Sequence, residues 1–284
     1  ETMLENTPSA ITRQNKADLL RRFHAHASNI LQLAPIKLSY ADEGFFALPD
    51  ANIITETEYQ LLYQFLKSQK DTSLIAHAQL IVLILGCRCG LRISEVRHLQ
   101  LVDLQYPGML EILSTERLEQ LGGYAATLLI RGDQFNKLKS TSSRRQLPLN
   151  ILMSSEERVE LLNYHQAQRV KVGKRNVQGK FVFSEDNGKT PMDFNELQRS
   201  LHEQMRQLTG DPSLRFHHLR HSFASHALQA SHNLTEPLQL PAHWKGHMLQ
   251  GTSRKHLHQI SNYVGHSSGN VTLQHYTHNL DCIV

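Results

Sequence analysis

Cysteine, tryptophan and long apolar runs are all scarce in this chain of 284 residues. Its three cysteines, Cys87, Cys89 and Cys282, are an odd number in a spacing that suits neither a disulfide framework nor a zinc site. The longest apolar run, LIVLILGC from Leu80, is too short and too interrupted upstream to span a bilayer, and no signal-peptide pattern is recognised. These absences argue against a disulfide-rich secreted protein or a membrane protein. They predict a reducing, cytoplasmic location.

The charge balance of the chain is weakly basic. Lys and Arg number 30 against 26 for Asp and Glu, the pI is near 9.0, and 18 histidines can add positive charge beside a polyanion. This balance is compatible with a nucleic-acid partner, although a net charge of +4 does not establish one. The hydrophobic content of 40% is enough for one good core or two modest ones.

The first fifty residues differ from the rest in pattern. The amphipathic segment KADLLRRFHAHASNILQLA predicts a helix, and the following PIKLSYADEGFFALPDAN has no period and is typical of a linker. The chain starts with ETMLEN rather than at an initiator methionine, which is compatible with a missing N-terminal part. Thr55 with Glu58 three residues later predicts a capped helix start. A compact domain is therefore expected from about residue 53 onwards.

That domain combines helical patterns with a few short β-type runs. After GCRCGLRISEVRHLQLVDL the β-type runs predict a small antiparallel sheet between helices. The predicted helices are SLIAHAQLIVLIL, 155–172, 193–208 and 217–230, and the predicted strands are MLEILS, TLLIRG and RRQLPL. The fold class that follows is mainly α with a small antiparallel β-sheet.

Three polar clusters carry the candidate chemistry, and the first is CGLRISEV. Gly90 breaks the apolar helix before it, and Arg92 stands at the start of the next helix, where terminal N–H groups favour an anion. A surface arginine beside an ordinary glycine break, with Ser94 as the cap, is the alternative for so short a motif.

The second cluster is RFHHLRHSFASHAL. His217, Arg220 and His221 fall at positions i, i+3 and i+4 and share one helix face, where three cations repel each other unless an anion lies among them. A neutral, hydrogen-bonded helix face is one alternative. A zinc pair of His217 and His221 is another, although His218 stands where the metalloprotease pattern has Glu.

The third cluster is NYVGHSSGNVTLQHYTH, residues 262 to 278, with His266 and Tyr276. Phosphodiester cleavage by a protein nucleophile needs an attacking hydroxyl, cations on the non-bridging oxygens and an acid for the leaving oxygen. Tyr276 can attack, Arg92 and Arg220 can hold the phosphate, and His217 and His266 can hydrogen-bond or carry protons. The acid would come from the polar hairpin NKLKSTSSRR. A lone tyrosine near a chain end is otherwise more often core or surface filler.

These elements, taken in order, make the chain resemble the tyrosine recombinase, or phage integrase, family over most of residues 53 to 284. They are GLRISEV, a lysine hairpin ending in RRQLPL, HHLRHSFASHAL and YVGHSSGNVTLQHYTH. The resemblance implies a set of catalytic residues, an orienting set and a DNA-contacting set. The catalytic set is Arg92, Lys139, His217, Arg220, His266 and Tyr276; the orienting set is Glu95 and His221; the DNA-contacting set is Lys137, Arg144 and Arg145. Lys137 is the alternative to Lys139 as the general acid, and counting back from RRQLPL favours Lys139.

The resemblance also implies an architecture and an activity. We expect residues 51–284 to be the catalytic domain, and 1–50 to be the C-terminal remnant of a helical DNA-binding domain plus its linker. The expected activity is site-specific recombination of double-stranded DNA through a 3′-phosphotyrosine and a Holliday junction, by four protomers, with no cofactor and no metal. A type IB topoisomerase with similar Tyr, Arg, Lys and His chemistry is the alternative, and a DNA-binding accessory protein without activity is the non-enzymatic one.

The interval between Arg220 and His266 is roughly twice as long as in relatives. The surplus is expected to bulge outward as a loop over residues 231 to 260, which is rich in histidine and has few acids. Its cations, Lys245, Arg254 and Lys255, suit DNA, whereas Leu238, Leu240 and Trp244 suit a neighbouring protomer. The apolar residues favour the protein contact, and a metal site is less favoured because no Cys or acidic ligand accompanies the histidines.

Overall fold

The computed structural model describes residues 10–32, 52–106, 126–132, 143–173, 177–234, 238–244 and 254–266. The chain divides into two compact units, Glu1–Asp50 and Ala51–Val284. In the first unit, helix α1 (Ala10–Leu31) occupies the segment where an amphipathic helix is predicted. Its Ala17 is buried, while Leu19, Phe23 and Leu31 are largely exposed. None of the helices in the described parts is long and apolar enough to cross a membrane.

The second unit is mostly helical and contains a small sheet, as predicted. Its elements in chain order are α2 (Glu56–Gln69), α3 (Leu74–Cys89), α4 (Ile93–Arg97), β1 (Leu104–Gln105), β2 (Thr127–Ile130), β3 (Arg145–Pro148), α5 (Leu149–Leu152), α6 (Ser155–Val172), α7 (Phe194–Thr209), α8 (Phe216–Ser231), a short 3-10 helix (Ala242–Trp244) and α9 (Arg254–Val264). Helix α2 begins with the predicted capping box of Thr55 and Glu58.

Helix α3 lies at the centre of this unit. Its sequence is apolar on all sides and nearly all of its side chains are buried, as expected of a helix enclosed by others. The Ser73 side chain accepts a hydrogen bond from the backbone N–H of Ala76 at 3.0 Å and caps its start. Gly90 ends it in the left-handed conformation, with φ at 59°. A Cβ at Gly90 would lie 2.5 Å from Cδ1 of Phe223 in α8, so both the backbone and the close packing require glycine.

Arg88, in the last turn of α3, is a buried cation. Its Nη1 and Nη2 each donate to a carboxylate oxygen of Glu56 at 2.7 Å, and its Nε donates to Glu157 at 2.8 Å. The guanidinium also lies 3.9 Å from the centre of the Tyr59 ring. A buried charge is costly unless it is paired and hydrogen-bonded. The carboxylates of Glu56 and Glu157 and the ring of Tyr59 compensate this charge. These contacts join α2, α3 and α6 close to Arg92.

The sheet is antiparallel in the order β1-β2-β3. The runs TLLIRG and RRQLPL supply β2 and β3 as predicted, with Leu128 opposite Leu147. Strand β1 was not predicted, because two residues are too few to show an alternating pattern; it pairs Leu104 with Leu128. The predicted strand MLEILS, residues 109 to 114, lies outside the described residues.

The expectation that residues 231 to 260 bulge outward and bury apolar residues against another protomer is wrong for the described part. Leu238 is 6% exposed and Trp244 is 1% exposed within this chain. The Trp244 indole N–H donates to the Leu152 carbonyl at 3.0 Å, and its ring meets that of Phe223 edge-on at 5.6 Å. The carbonyl of Leu238 accepts from the backbone N–H of Glu56 at 3.1 Å. Residues 238–244, which we call the strap, therefore belong to the core of their own unit.

Candidate active site

Arg92 and Glu95 are placed by the break between α3 and α4. Gly90 turns the chain, and Arg92 stands in extended conformation directly before α4. The Glu95 carboxylate accepts from the Arg92 backbone N–H at 2.8 Å and from Arg92 Nη1 at 3.0 Å. The Arg92 side chain stays 28% exposed, whereas that of Glu95 is 3% exposed. The arginine is thus anchored at its base and remains accessible at the surface.

Arg220 lies in the first half of α8 and is fully buried. Its Nη1 donates to the Gly90 carbonyl at 2.6 Å, and its Nη2 donates to the Val264 carbonyl. The Nε2 atom of His266 lies 3.2 Å from the same Nη2. One guanidinium therefore joins the end of α3, helix α8 and the end of α9.

The end of α9 positions His266. The backbone N–H of Gly265 donates to Asn262 at 3.1 Å, and that of His266 donates to Ser261 at 2.8 Å, with Gly265 at a φ of 67°. This bonding pattern, with glycine in the left-handed position, is a Schellman turn. It ends the helix and directs His266 toward Arg220.

The histidines at the start of α8 divide into exposed and buried ones. His217 is exposed, and its ring lies 4.6 Å from that of the buried His221. His218 is buried, and its Nδ1 accepts from the backbone N–H of Arg215 at 3.1 Å, while Nε2 of His202 accepts from that of Phe216 at 2.9 Å. Burial, with the charge of Arg206 adding, lowers the pKa of His202, which keeps that ring neutral and able to accept.

Arg145 departs from the DNA-contacting role assigned to it. Its side chain is 4% exposed, and the guanidinium forms a two-bond pair with Glu95 at 2.9 Å on both sides. Its Nε donates to the Tyr263 carbonyl at 2.7 Å, and Nη1 also donates to Ser143 at 2.9 Å. All three nitrogens of this guanidinium donate to protein oxygens, so the DNA-contacting assignment of Arg145 is corrected. Arg144, by contrast, is exposed.

The ionisation of Glu95 follows from these neighbours. Burial alone would raise the pKa of the carboxyl, but the hydrogen bonds and charge of Arg145 oppose it, with the charge of Arg220 and the backbone N–H of Arg92 adding to them. The pKa falls to about 2. The carboxylate is therefore negative at any ordinary pH and partly balances three arginines.

A groove of about 650 Å³ opens between β3 and α9. Arg144, Lys255, His258 and Asn262 are exposed along it. Among the described residues that line it, none is acidic. The groove therefore offers a positively charged, polar surface beside the cluster of arginines.

The structure brings four of the described candidates into one cluster, and three other candidates lie outside the described residues. Arg92, Glu95, Arg220 and His266 share one cluster, in which backbone carbonyls of Gly90 and Val264 hold the central arginine. Lys137, Lys139 and Tyr276 lie outside the described residues. Within the described segments, no group of three or more His, Cys, Asp or Glu could hold a metal ion.

Two positions of the cluster were missed from the sequence. The carbonyl of Val264 gives no sequence signal at all. The inward direction of Arg145 does give one, because in RRQLPL it shares the period of two with Leu147, which is fully buried. An arginine on the buried face of a strand indicates an interior partner, here Glu95.

A model of the phage integrase family matches residues 52–251. Among solved structures, the Tn1549 transposon integrase in complex with a circular intermediate DNA is similar, with a TM-score of 0.57 and 19% identity over 100% of this chain and 82% of that one. XerH site-specific recombinase bound to difH substrate is similar with a TM-score of 0.56 and 15% identity, covering 98% of this chain and 64% of that one. At such identities the likeness shows the fold, which is that of tyrosine recombinase catalytic domains.

XerA recombinase also matches, with a TM-score of 0.49 and 16% identity, covering 82% of this chain and 62% of its own. The chain thus spans less than two thirds of the XerA and XerH chains. A search of curated proteins found no match.

Proposed function

Because the chain belongs to the phage integrase family, we propose that it is a site-specific DNA recombinase that cleaves and rejoins DNA through a covalent tyrosine intermediate. The observation that supports this most is the cluster of Arg92, Glu95, Arg220 and His266. Their segments are far apart in sequence, yet one guanidinium and one carboxylate link them. Two arginines beside a histidine suit a phosphate whose charge rises during the reaction.

Arg92 and Arg220 are assigned to the non-bridging oxygens of the scissile phosphate. Arg92 is partly exposed and anchored by Glu95, so its guanidinium is oriented before DNA arrives. His266 and His217 hydrogen-bond the same phosphate or carry protons, and His221 packs against His217 to orient it.

Tyr276 is assigned as the nucleophile and Lys139 as the general acid for the leaving 5′-oxygen, with Lys137 on a flanking phosphate. Attack by the phenol oxygen forms a 3′-phosphotyrosine and releases a 5′-hydroxyl. A 5′-hydroxyl from a second duplex then attacks this ester and releases the tyrosine, so no ATP is consumed. This chemistry requires neither a cofactor nor a metal ion.

Double-stranded DNA is the proposed partner, and the groove between β3 and α9 is its proposed contact surface. Arg144 and Lys255 supply cations, while His258 and Asn262 supply hydrogen-bonding groups. Cations on one face bind phosphates with little sequence preference, and such binding weakens as salt rises. Four protomers on two sites, passing through a Holliday junction, complete the proposal. A type IB topoisomerase reaction remains the rival for the same residues.

Covalent capture tests the proposed function. The chain is mixed with a library of nicked duplexes in which the bases around the nick are randomised, and protein–DNA adducts are isolated under denaturing conditions and sequenced. The wild-type chain should form adducts on a restricted set of sequences, since the nick lets the cut strand diffuse away.

Tyr276→Phe is the matched variant, because it removes only the attacking oxygen. It should bind the captured duplex with wild-type affinity and form no adduct. Adduct from Tyr276→Phe would mean that another residue attacks, and no adduct from the wild-type chain would contradict the proposed function.

A further inference from the structure

Arg145 is in contact with three separate parts of the candidate active site. It donates to both oxygens of Glu95, to the carbonyl of Tyr263 in α9 and to that of Ser143 at the end of the segment that carries Lys139. With 4% of its side chain exposed, it is among the most enclosed charges of this unit. All three of its guanidinium nitrogens are already bonded to protein oxygens, which indicates a role within the protein rather than on DNA.

Glu95 connects Arg145 to Arg92. Each of its oxygens receives one bond from Arg145 and one from Arg92. A carboxylate has about four lone-pair sites, so these four bonds fill it. The direction of Glu95, and with it the base of the Arg92 side chain, therefore depends on Arg145.

The Tyr263 contact reaches the other side of the cluster. Tyr263 directly precedes Val264, whose carbonyl accepts a hydrogen bond from Arg220. Gly265 and His266 follow Val264 in the chain. A Cβ at Gly265 would lie 2.8 Å from Nη1 of Arg145, so the turn passes directly against the guanidinium. The planar fork of an arginine can reach a carboxylate and two carbonyls at once, which a lysine ammonium cannot do with the same geometry.

We propose that Arg145 is a positioning residue for strand cleavage: it holds Glu95 against Arg92 and fixes the turn that presents Val264 and His266 to Arg220. This assignment rests on the proposed function. It predicts that Arg145, although it lines the groove between β3 and α9, bonds protein groups rather than phosphate and controls the rate of the chemical step.

The charge of Arg145 also has a measurable signature in pH. Glu95 is buried, which by itself raises its pKa, and Arg145 is the main group that lowers the pKa to about 2. Without Arg145, burial is less opposed and the pKa of Glu95 rises. Cleavage by the variant should then fall as the pH falls through that raised pKa, because a protonated Glu95 no longer pairs with Arg92.

The experiment compares Arg145→Met and Arg145→Lys with the wild-type chain on a nicked duplex that the wild-type chain captures. The rate of adduct formation at saturating DNA is measured across the pH range, together with DNA affinity at several salt concentrations. Arg145→Met should lower the rate on the order of 100-fold, as expected when a reactive group is misplaced by about an ångström. Its DNA affinity and salt dependence should stay at wild-type values. Arg145→Lys should recover part of the rate.

Arg131→Met is the control, since it breaks a different arginine–carboxylate pair, that of Arg131 directly after β2 with Asp103 directly before β1. It should keep the wild-type rate and pH profile. Glu95→Gln should lower the rate as Arg145→Met does, but without its pH dependence, because glutamine does not titrate. The double variant should lose no more than the worse single one, because both act through one contact.

Three results would overturn this proposal while leaving the proposed function in place. A wild-type rate in Arg145→Met would show that positioning is not needed, and a weaker salt dependence of DNA binding would show a phosphate contact instead. Should Arg145→Met not fold, an unchanged rate and pH profile in Arg145→Lys would decide against it. Adduct from the wild-type chain is the separate readout for the proposed function, and its absence would overturn both.

Discussion

Two backbone carbonyls help to orient the Arg220 guanidinium. Gly90 and Val264 each place one carbonyl oxygen on its guanidinium, and both residues lie where a helix ends. The last carbonyls of a helix lack partners within the helix, so they are available to a buried donor. Carbonyls at two helix ends therefore orient Arg220, as the Glu95 carboxylate orients Arg92.

Arg220→Lys should therefore be a severe change despite keeping the charge. A single ammonium cannot reach both carbonyls and a phosphate, so we expect the rate of covalent adduct formation to fall on the order of 100-fold or more, the loss seen when one charge-stabilising donor is removed. DNA affinity, measured by fluorescence anisotropy, should change little. Arg206→Lys is the control, because its Nε likewise donates to a backbone carbonyl, that of Leu214, but away from the cluster. A wild-type rate in Arg220→Lys would remove Arg220 from the proposed mechanism.

At the scale of the elements, the sequence predicts those helices and breaks that leave a local pattern. Helix α6 at Ser155–Val172 and helix α8 at Phe216–Ser231 are predicted by their helical periods, and the helix break at Gly90 is predicted by its position after an apolar run. The clustering of Arg92, Arg220 and His266 was proposed from the needs of phosphodiester cleavage and from the family resemblance, because no local pattern brings distant segments together.

The strap shows where local patterns stop being informative. Trp244 sits in a stretch rich in Pro, His and polar residues, which is typical of a surface loop. It is buried because Phe223 of α8 and the carbonyl of Leu152 in α5 form its site, and both are distant in sequence. The same holds for Arg145, whose neighbours Glu95 and Tyr263 come from other elements.

Trp244→Ala should destabilise the isolated chain. Removing a fully buried Trp side chain costs about 3–5 kcal/mol, and the indole hydrogen bond to Leu152 is lost as well. For a domain of this size the thermal midpoint should fall on the order of 10 °C, measured by circular dichroism on protein without DNA. His232→Ala, at an exposed position at the end of α8, should leave the midpoint unchanged. An unchanged midpoint in Trp244→Ala, with a defect confined to pairing of two DNA sites, would restore the contact with another protomer that the strap was first expected to make.

At the scale of the whole molecule, the same cleavage reaction can lead either to strand exchange between two DNA sites or to relaxation of supercoils in one DNA molecule. The same phosphotyrosine supports both, since either a 5′-hydroxyl from a second duplex or the original one can attack it. The active-site geometry of a single chain does not distinguish them, whereas the dependence on a second site does.

A recombinase should need two sites, and a topoisomerase should need one. We expect the wild-type chain to convert two duplexes carrying the captured sequence into four-way junctions, seen as a slow band on a native gel, only when both duplexes carry it. Omission of the sequence from one duplex, and Tyr276→Phe, should each abolish the band. A supercoiled plasmid without the sequence should remain supercoiled, because sequence-independent phosphate contacts bind DNA without bringing a specific phosphate to Arg92 and Arg220. Rapid relaxation of that plasmid, with no junction from paired duplexes, would instead favour the topoisomerase reaction for the same residues.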